Sequence, residues 1–299
     1  MAPAEPGGAR ASLLDYGDSR VPVDDLSDEG IDGVDALLVA VPPEAGKSAA
    51  DLAAHRGVPM VDCSGAFADD RSVPLVVPWI NPEGLGGDLH RGLVAIPDPA
   101  AVLLASVLGP LQRAGITGAV EATVLVPASF QGKAGIEELS RQVVALFNSG
   151  TPPRKVFPNG LAFDLLPALD TPEDDGWTAR ERSVAAQTAR VAGMDGPVQA
   201  TLVGVPVFSG ISANIVLYPT RAAPLELVLR ILADGGVHVP ESAGLRYLPR
   251  PRRVEGRPFA HVGRVRLGAD GRSLHLWTAM DNLRTTATAA VATAGVLLG

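Results

Sequence analysis

Two rhythms of apolar and polar residues divide the chain. In the first, unbroken apolar runs at residues 36–41 and 58–61 flank a helix-length stretch at 44–55, and the second run ends in Asp62-Cys63-Ser64-Gly65. Apolar runs of strand length on either side of a helix-length segment predict a β–α–β unit, hence a parallel sheet covered on both faces. A further strand is predicted at 93–96, where Pro97-Asp98-Pro99 breaks it, and the Ala/Leu-rich residues 100–108 predict a core helix. A Pro-punctuated strand is expected at 74–77, with turn chemistry at Asn81-Pro82. Residues 1–30, rich in Pro, Gly and Asp, offer one short strand at 20–23 and no strand–glycine-loop–helix unit.

The second rhythm reads as α+β. A strand at 118–126, an amphipathic helix at 133–147 and a polar helix at 178–191 lead into residues 198–208, whose alternation predicts an antiparallel strand. Strands at 215–218, 263–267 and 273–280 complete that sheet. Residues 201–208 are apolar on both faces of an extended chain, which predicts a patch covered by a two-fold partner. The last stretch, 281–298, is an Ala/Thr helix with so little polar surface that it needs cover, and the first sheet is its expected cover.

Composition narrows the classes. A chain of 299 residues with 46% hydrophobic and 19% charged content predicts about two domains and a large core. Net charge −8 and a pI near 5.1 argue against general attraction to nucleic acid or to anionic membrane. The opening residues lack a signal peptide's basic flank and apolar run, and no apolar stretch is long enough to span a bilayer, so a cytoplasmic location is expected. One cysteine, Cys63, rules out an intrachain disulfide and any multi-cysteine metal site. His55, His90, His238, His261 and His275 are scattered without metal-pair spacing, and no metal site is predicted. Seven arginines lie between Arg246 and Arg266 with few aromatic residues among them, which argues against a nucleic-acid surface.

Candidate chemistry centres on the break at Pro97-Asp98-Pro99. A strand, a sharp turn and a helix N-terminus together make a seat for a nucleophile, because exposed N–H groups there favour an anion. Nothing in Asp98-Pro99-Ala100-Ala101 can attack a carbonyl except a carboxylate that serves equally well as an N-cap. Cys63 is expected as a buried structural thiol, with a displaced nucleophile as the alternative. Gln131-Gly132-Lys133 is expected as a helix entry, with an anion site as the alternative.

Six segments, in order and spacing, carry a family likeness: SGAF..D..VPLVVPWINPE from Ser64, GKAGIEEL from Gly132, LAFDLLP from Leu161, VPVFSG from Val205, VGRVR from Val262 and DNLR from Asp281. From about Asp35 to the C-terminus the chain resembles the aspartate-semialdehyde dehydrogenase family. The resemblance implies a Rossmann-type NADP-binding domain, N-terminally truncated here, at 1–98 and 281–299. It also implies an inserted α+β dimerisation domain with an antiparallel sheet at 99–280, and a homodimer.

The family's chemistry needs a cysteine nucleophile, a histidine acid/base, a glutamine and arginines for carboxylate and phosphate. The resemblance places these at Pro99 (nucleophile), Val126 (glutamine), Gly204 (arginine) and Ile211 (histidine), with Ala68 where a further anion-binding arginine belongs. The family's Ser-Ala-Gly-Gly loop falls on Ala40-Val41-Pro42-Pro43, whose prolines remove phosphate-facing N–H groups. Ser64 and Asn282 are left as vestigial cofactor contacts. The pattern is similar to the Usg-like, catalytically degenerate branch: a dimeric binding or scaffolding homologue, no cofactor expected although NADP is the family's, and an unassigned small ligand in the former pocket. The alternative is an active NADP-dependent semialdehyde dehydrogenase acting through Cys63.

Overall fold

In a computed structural model, residues 4–5, 12–27, 29–86, 92–240 and 244–299 are described. The chain divides into two compact units. The first comprises residues 1–74, 83–96 and 290–299.

Its sheet is formed by β4 (Leu37–Val39), β5 (Met60–Asp62) and β6 (Leu93–Ala95), all parallel and in sequence order, with Leu37 opposite Met60 and Met60 opposite Leu93. Helix α1 (Pro43–Arg56) makes the crossover and buries Gly46, Ala49 and Ala53. It ends on Gly57, whose φ of 66° is the left-handed conformation that glycine adopts without a Cβ penalty. Upstream, β1 (Ala4–Glu5), β2 (Ser12–Tyr16) and β3 (Ser19–Asp25) form a separate sheet in the order β1-β3-β2, where the composition had suggested one short strand.

The second unit comprises residues 75–82 and 97–289. Its five-stranded sheet has the order β10 (His261–Leu267), β11 (Leu274–Met280), β9 (Ile211–Pro219), β7 (Gly118–Val126), β8 (Val198–Gly204). Helices α2 (Pro99–Arg113), α4 (Ala179–Ala192) and α5 (Leu225–Asp234) pack on one face. Residues from Ala100 to Leu111 of α2 are all buried, so its Ala/Leu run is core, as its pattern requires. Helix α3 (Gly132–Phe147) follows β7, α6 (Pro251–Val254) precedes β10, and α7 (Asn282–Leu297) closes the chain.

Four expectations are corrected. Residues 198–208 are not one antiparallel strand: β8 stops at Gly204 and lies parallel to β7, with Val126 opposite Gly204. The β7–β8 connection contains α3 and α4 and is long enough to bring β8 back in the same direction, which alternation alone cannot reveal. The outward residues of β8 include exposed Gln199 and Thr201, so the strand is not apolar on both faces. Residues 74–77 form no full strand: only Leu75 makes a β-bridge, and the chain turns at 78–80, where the Asn81 amide accepts from Val77 N at 2.8 Å and donates to Leu75 O at 2.9 Å. The histidines are not all scattered: His238 and His261 stack with ring centroids 4.4 Å apart, while His90 lies outside the described residues. Among the described residues no helix is long and apolar enough to cross a membrane.

Candidate active site and its occupants

The carboxyl end of β7 gathers the candidate positions of the second unit. Val126 is its last residue, paired with Gly204, and Leu125 pairs with Ser212, next to Ile211 at the start of β9. Val126 and Ile211 are 2% and 0% exposed, so two positions that the resemblance assigns to polar catalytic groups are core. Gly204 exchanges backbone hydrogen bonds with Leu166, at 2.8 and 3.0 Å. A Cβ on Gly204 would lie 3.1 Å from Leu166 Cβ and from Leu169 Cδ2. The segment from Leu161 therefore fills the space where an arginine side chain would extend.

Pro99 opens α2 at a position where a missing N–H costs nothing. Asp98 is the N-cap: its Oδ1 accepts from Ala100 N at 2.8 Å. Its Oδ2 accepts from Arg180 Nη2 at 2.9 Å and Nε at 3.2 Å, and its own N donates to Gln187 Oε1 at 2.7 Å. Arg180 also stacks over Phe130, 4.9 Å from the ring centroid. The seat is thus closed by a carboxylate, a guanidinium and an aromatic ring from three elements. Sequence reasoning found Asp98 and missed Arg180 and Gln187, which stand 82 and 89 residues away and have no motif of their own.

Asn282 is buried and structural. Its Oδ1 accepts from Gly210 N at 2.9 Å and its Nδ2 donates to Ser129 Oγ at 3.0 Å, tying α7 to the β7 and β9 loops. Gly210, at φ 86°, could not be another residue: an added Cβ would sit 2.8 Å from Pro251 Cα. Beside this staple is an open cavity of about 1090 Å³, lined by Phe208, Ser209, Arg250, Arg252, Arg253 and Glu255 among others. Gln131 caps α3 without a side-chain hydrogen bond and Gly132 begins it, the helix entry its sequence suggests.

In the first unit, Asp62 is fully buried at the end of β5 and organises the next turn. Its carboxylate accepts from Ser64 N at 2.8 Å, from Ser64 Oγ, and from Phe67 N at 3.2 Å. Gly46 of α1 gives Ser64 room, since a Cβ there would approach Ser64 Oγ to 2.2 Å. Burial, aided by the Asp62 charge, pushes the Cys63 thiol up to about 12. Such a thiol is almost entirely protonated near neutral pH and is a poor nucleophile. Alkylation of Cys63 by iodoacetamide at pH 8, followed by intact mass, is expected to be at least about a hundredfold slower than that of a free thiol. An ordinary rate would overturn this account of the thiol.

The start of α1 is poorly suited to a dinucleotide phosphate. The start of α1, where such a group would bind in a β–α–β unit, has Pro42 as N-cap, Pro43 at the first helical position and Glu44 in the first turn. Two N–H groups are missing, and a carboxylate adds repulsion. Among the described residues no group of three or more His, Cys, Asp or Glu could hold a metal.

Two family models match the chain: the semialdehyde dehydrogenase dimerisation domain over residues 108–285 and the semialdehyde dehydrogenase NAD binding domain over 7–87. The chain belongs to the aspartate-semialdehyde dehydrogenase family. It is 32% identical over 272 residues to the aspartate-semialdehyde dehydrogenase of Aquifex aeolicus, covering 89% of this chain and 80% of that protein. It is also 30% identical to a USG-1 protein homolog of Pseudomonas aeruginosa, covering 100% of this chain and 87% of that protein. The crystal structure of aspartate semialdehyde dehydrogenase II of Vibrio cholerae complexed with ASA superposes with a TM-score of 0.87 at 27% identity, covering 96% of this chain and 86% of that one.

Proposed function

We propose that this chain is a non-catalytic member of its family, retained as a dimeric binding or scaffolding protein. The observation that carries this reading is the closed seat at the start of α2. There the nucleophile position is Pro99, and the helix N-terminus is already satisfied by Asp98, itself held by Arg180. The positions assigned to glutamine, arginine and histidine are Val126, Gly204 and Ile211, and none of these can transfer a proton or hold a carboxylate. No NADP-dependent step is assigned to the chain, because the start of α1 is unsuited to phosphate. The arginine-lined cavity beside Phe208 is the place for a small anionic ligand.

The test is phosphate-dependent NADP reduction with aspartate semialdehyde, run beside a thermal scan with micromolar NADP. No turnover and no rise in melting temperature are expected, since a ligand that binds the native state must raise stability. Turnover that disappears in Cys63→Ser would instead establish an active dehydrogenase using that thiol.

The homodimer is inferred from the dimerisation-domain match over residues 108–285. Helices cover one face of the five-stranded sheet, while the other presents Glu121, Thr123, Gln199, Thr201 and Tyr218 as exposed residues. That face is largely polar and can stand in solvent, and two-fold dimers are the commonest soluble oligomers. Light scattering at micromolar protein is expected to return a two-chain species. A single species at 30.8 kDa would refute the dimer.

A further inference from the structure

The arginine-rich segment between β9 and β10 builds a second, smaller cavity that the family reading leaves unused. Its volume is about 190 Å³, and its polar lining is His238, His261, Tyr247, Arg253 and Arg257. Among the described residues no carboxylate lines it. Arg253 stacks on Tyr247, 5.7 Å from the ring centroid, and donates from Nη1 to Arg246 O. Arg246 stacks on the same ring at 5.1 Å. Among the described residues neither Arg253 nor Arg257 has an ion-pair partner. The nearby Asp281 carboxylate is engaged by the backbone N–H groups of Gly256, Leu283 and Arg284.

The frame of this cavity is fixed by hydrogen bonds and close packing. His238 pairs with the start of β10, its N donating to Ala260 O at 2.9 Å and its O accepting from Val262 N at 2.9 Å, which stacks its ring on His261. Pro249, on the wall, has its carbonyl held by Trp277 Nε1 at 2.7 Å. Gly263 allows that approach, since a Cβ there would lie 2.7 Å from Pro249 Cδ. Burial first, then the charges of His238, Arg257 and Arg253, push the His261 imidazole down to about 4. It therefore stands neutral at pH 7 and keeps one N–H donor.

Two guanidinium groups and two imidazoles converge with no carboxylate among the described lining residues, in a protein whose net charge is −8. Like charges held near one another repel, and an anion that joins them relieves that repulsion. We propose that this cavity is a binding site for a phosphate group, gripped by Arg253 and Arg257 beside the His238–His261 pair. Phosphate suits it because the guanidinium fork pairs with tetrahedral oxyanions in two-point fashion, and the cavity admits a group of that size.

The site is independent of the dehydrogenase reading, and its test needs no turnover. The full chain is titrated at pH 7 with inorganic phosphate, with sodium chloride at matched ionic strength as control, while the imidazole resonances of His238 and His261 are followed by NMR. Saturable shifts with phosphate alone are expected, together with an upward move of the His261 titration, because a nearby dianion favours the imidazolium form. Arg257→Gln removes an exposed charge with no side-chain hydrogen bond recorded among the described residues. It is expected to weaken phosphate about tenfold or more while leaving the melting temperature of the phosphate-free protein unchanged. Arg253→Gln is the second variant, for which some loss of stability is expected from the lost bond to Arg246. Equal shifts with chloride, or saturable phosphate shifts undiminished in Arg257→Gln, would overturn the proposal.

Discussion

Replacing Glu138 by Ala is expected to destabilise the protein by about 3–5 kcal/mol, read by urea denaturation, and to loosen the loop from Pro153 to Ala162 before the rest unfolds. Glu138 is 2% exposed on the inner face of α3. Its carboxylate accepts from three backbone N–H groups, those of Phe157 at 2.8 Å and of Lys155 and Val156 at 2.9 Å each. One turn on, Gln142 continues the same clasp: Oε1 accepts from Leu161 N and Ala162 N at 2.8 and 3.0 Å, and Nε2 donates to Pro153 O at 2.9 Å. Removing the carboxylate leaves three donors facing a void, and stranded donors are dearer than the net value of a hydrogen bond.

Glu138→Gln should fall between, because its amide oxygen can serve some of those donors while its NH₂ faces another donor. The pH dependence has a definite sign. Burial alone would raise the Glu138 carboxyl, but the N–H groups of Phe157, Val156 and Lys155, with Arg141, outweigh it and hold the group below its ordinary value. The stabilisation is therefore complete above the ordinary glutamate range and is lost as pH falls through the lowered native value. Wild type should lose its advantage over Glu138→Gln on acidification, and an advantage constant down to strongly acid pH would refute the carboxylate's role.

Pro99→Cys is expected to leave the chain without dehydrogenase activity, and Gly204→Arg to destabilise it by about 1–3 kcal/mol without conferring any. On the proposed assignment the two changes restore single members of a set that acts as a unit, so each alone is expected to recover nothing. Geometry adds a second obstacle. A thiol at position 99 would stand beside the Asp98 carboxylate, which disfavours the thiolate. An arginine at 204 would have to displace Leu166 and Leu169, whose atoms already lie 3.1 Å from an ideal Cβ, and so break the Leu166 bridge. Measurable phosphate-dependent turnover from Pro99→Cys alone would mean that the catalytic positions have been placed wrongly along the chain.

Periodicity carried most of the architecture. The span 118–126 was readable to the residue because its inward positions alternate with exposed Glu121 and Thr123. The α2 core helix was readable because nothing polar interrupts Ala100 to Leu104. The direction of β8 was not readable, since a strand's partner is decided by the length and path of its connection, which side-chain alternation does not record. Helix α5 went unrecognised although Leu225 to Leu232 is amphipathic, because a ten-residue helix gives a short pattern. The site was half legible. Candidate positions were assigned by motif alone, whereas their surroundings came from Arg180, Leu166 and Leu169, whose identities imply no role until the chain is folded.

The ion pair at the head of α2 also bears on inhibitors and metabolites. A dissolved carboxylate aimed at that helix N-terminus must displace Asp98, which is tethered one bond away and already oriented by Arg180 and Gln187. A short tether alone gives a local concentration of about millimolar or more, and a rigid one raises it further. The protein thus carries its own competitive ligand for the seat, and screens for binders should find hits at the arginine-lined surfaces first.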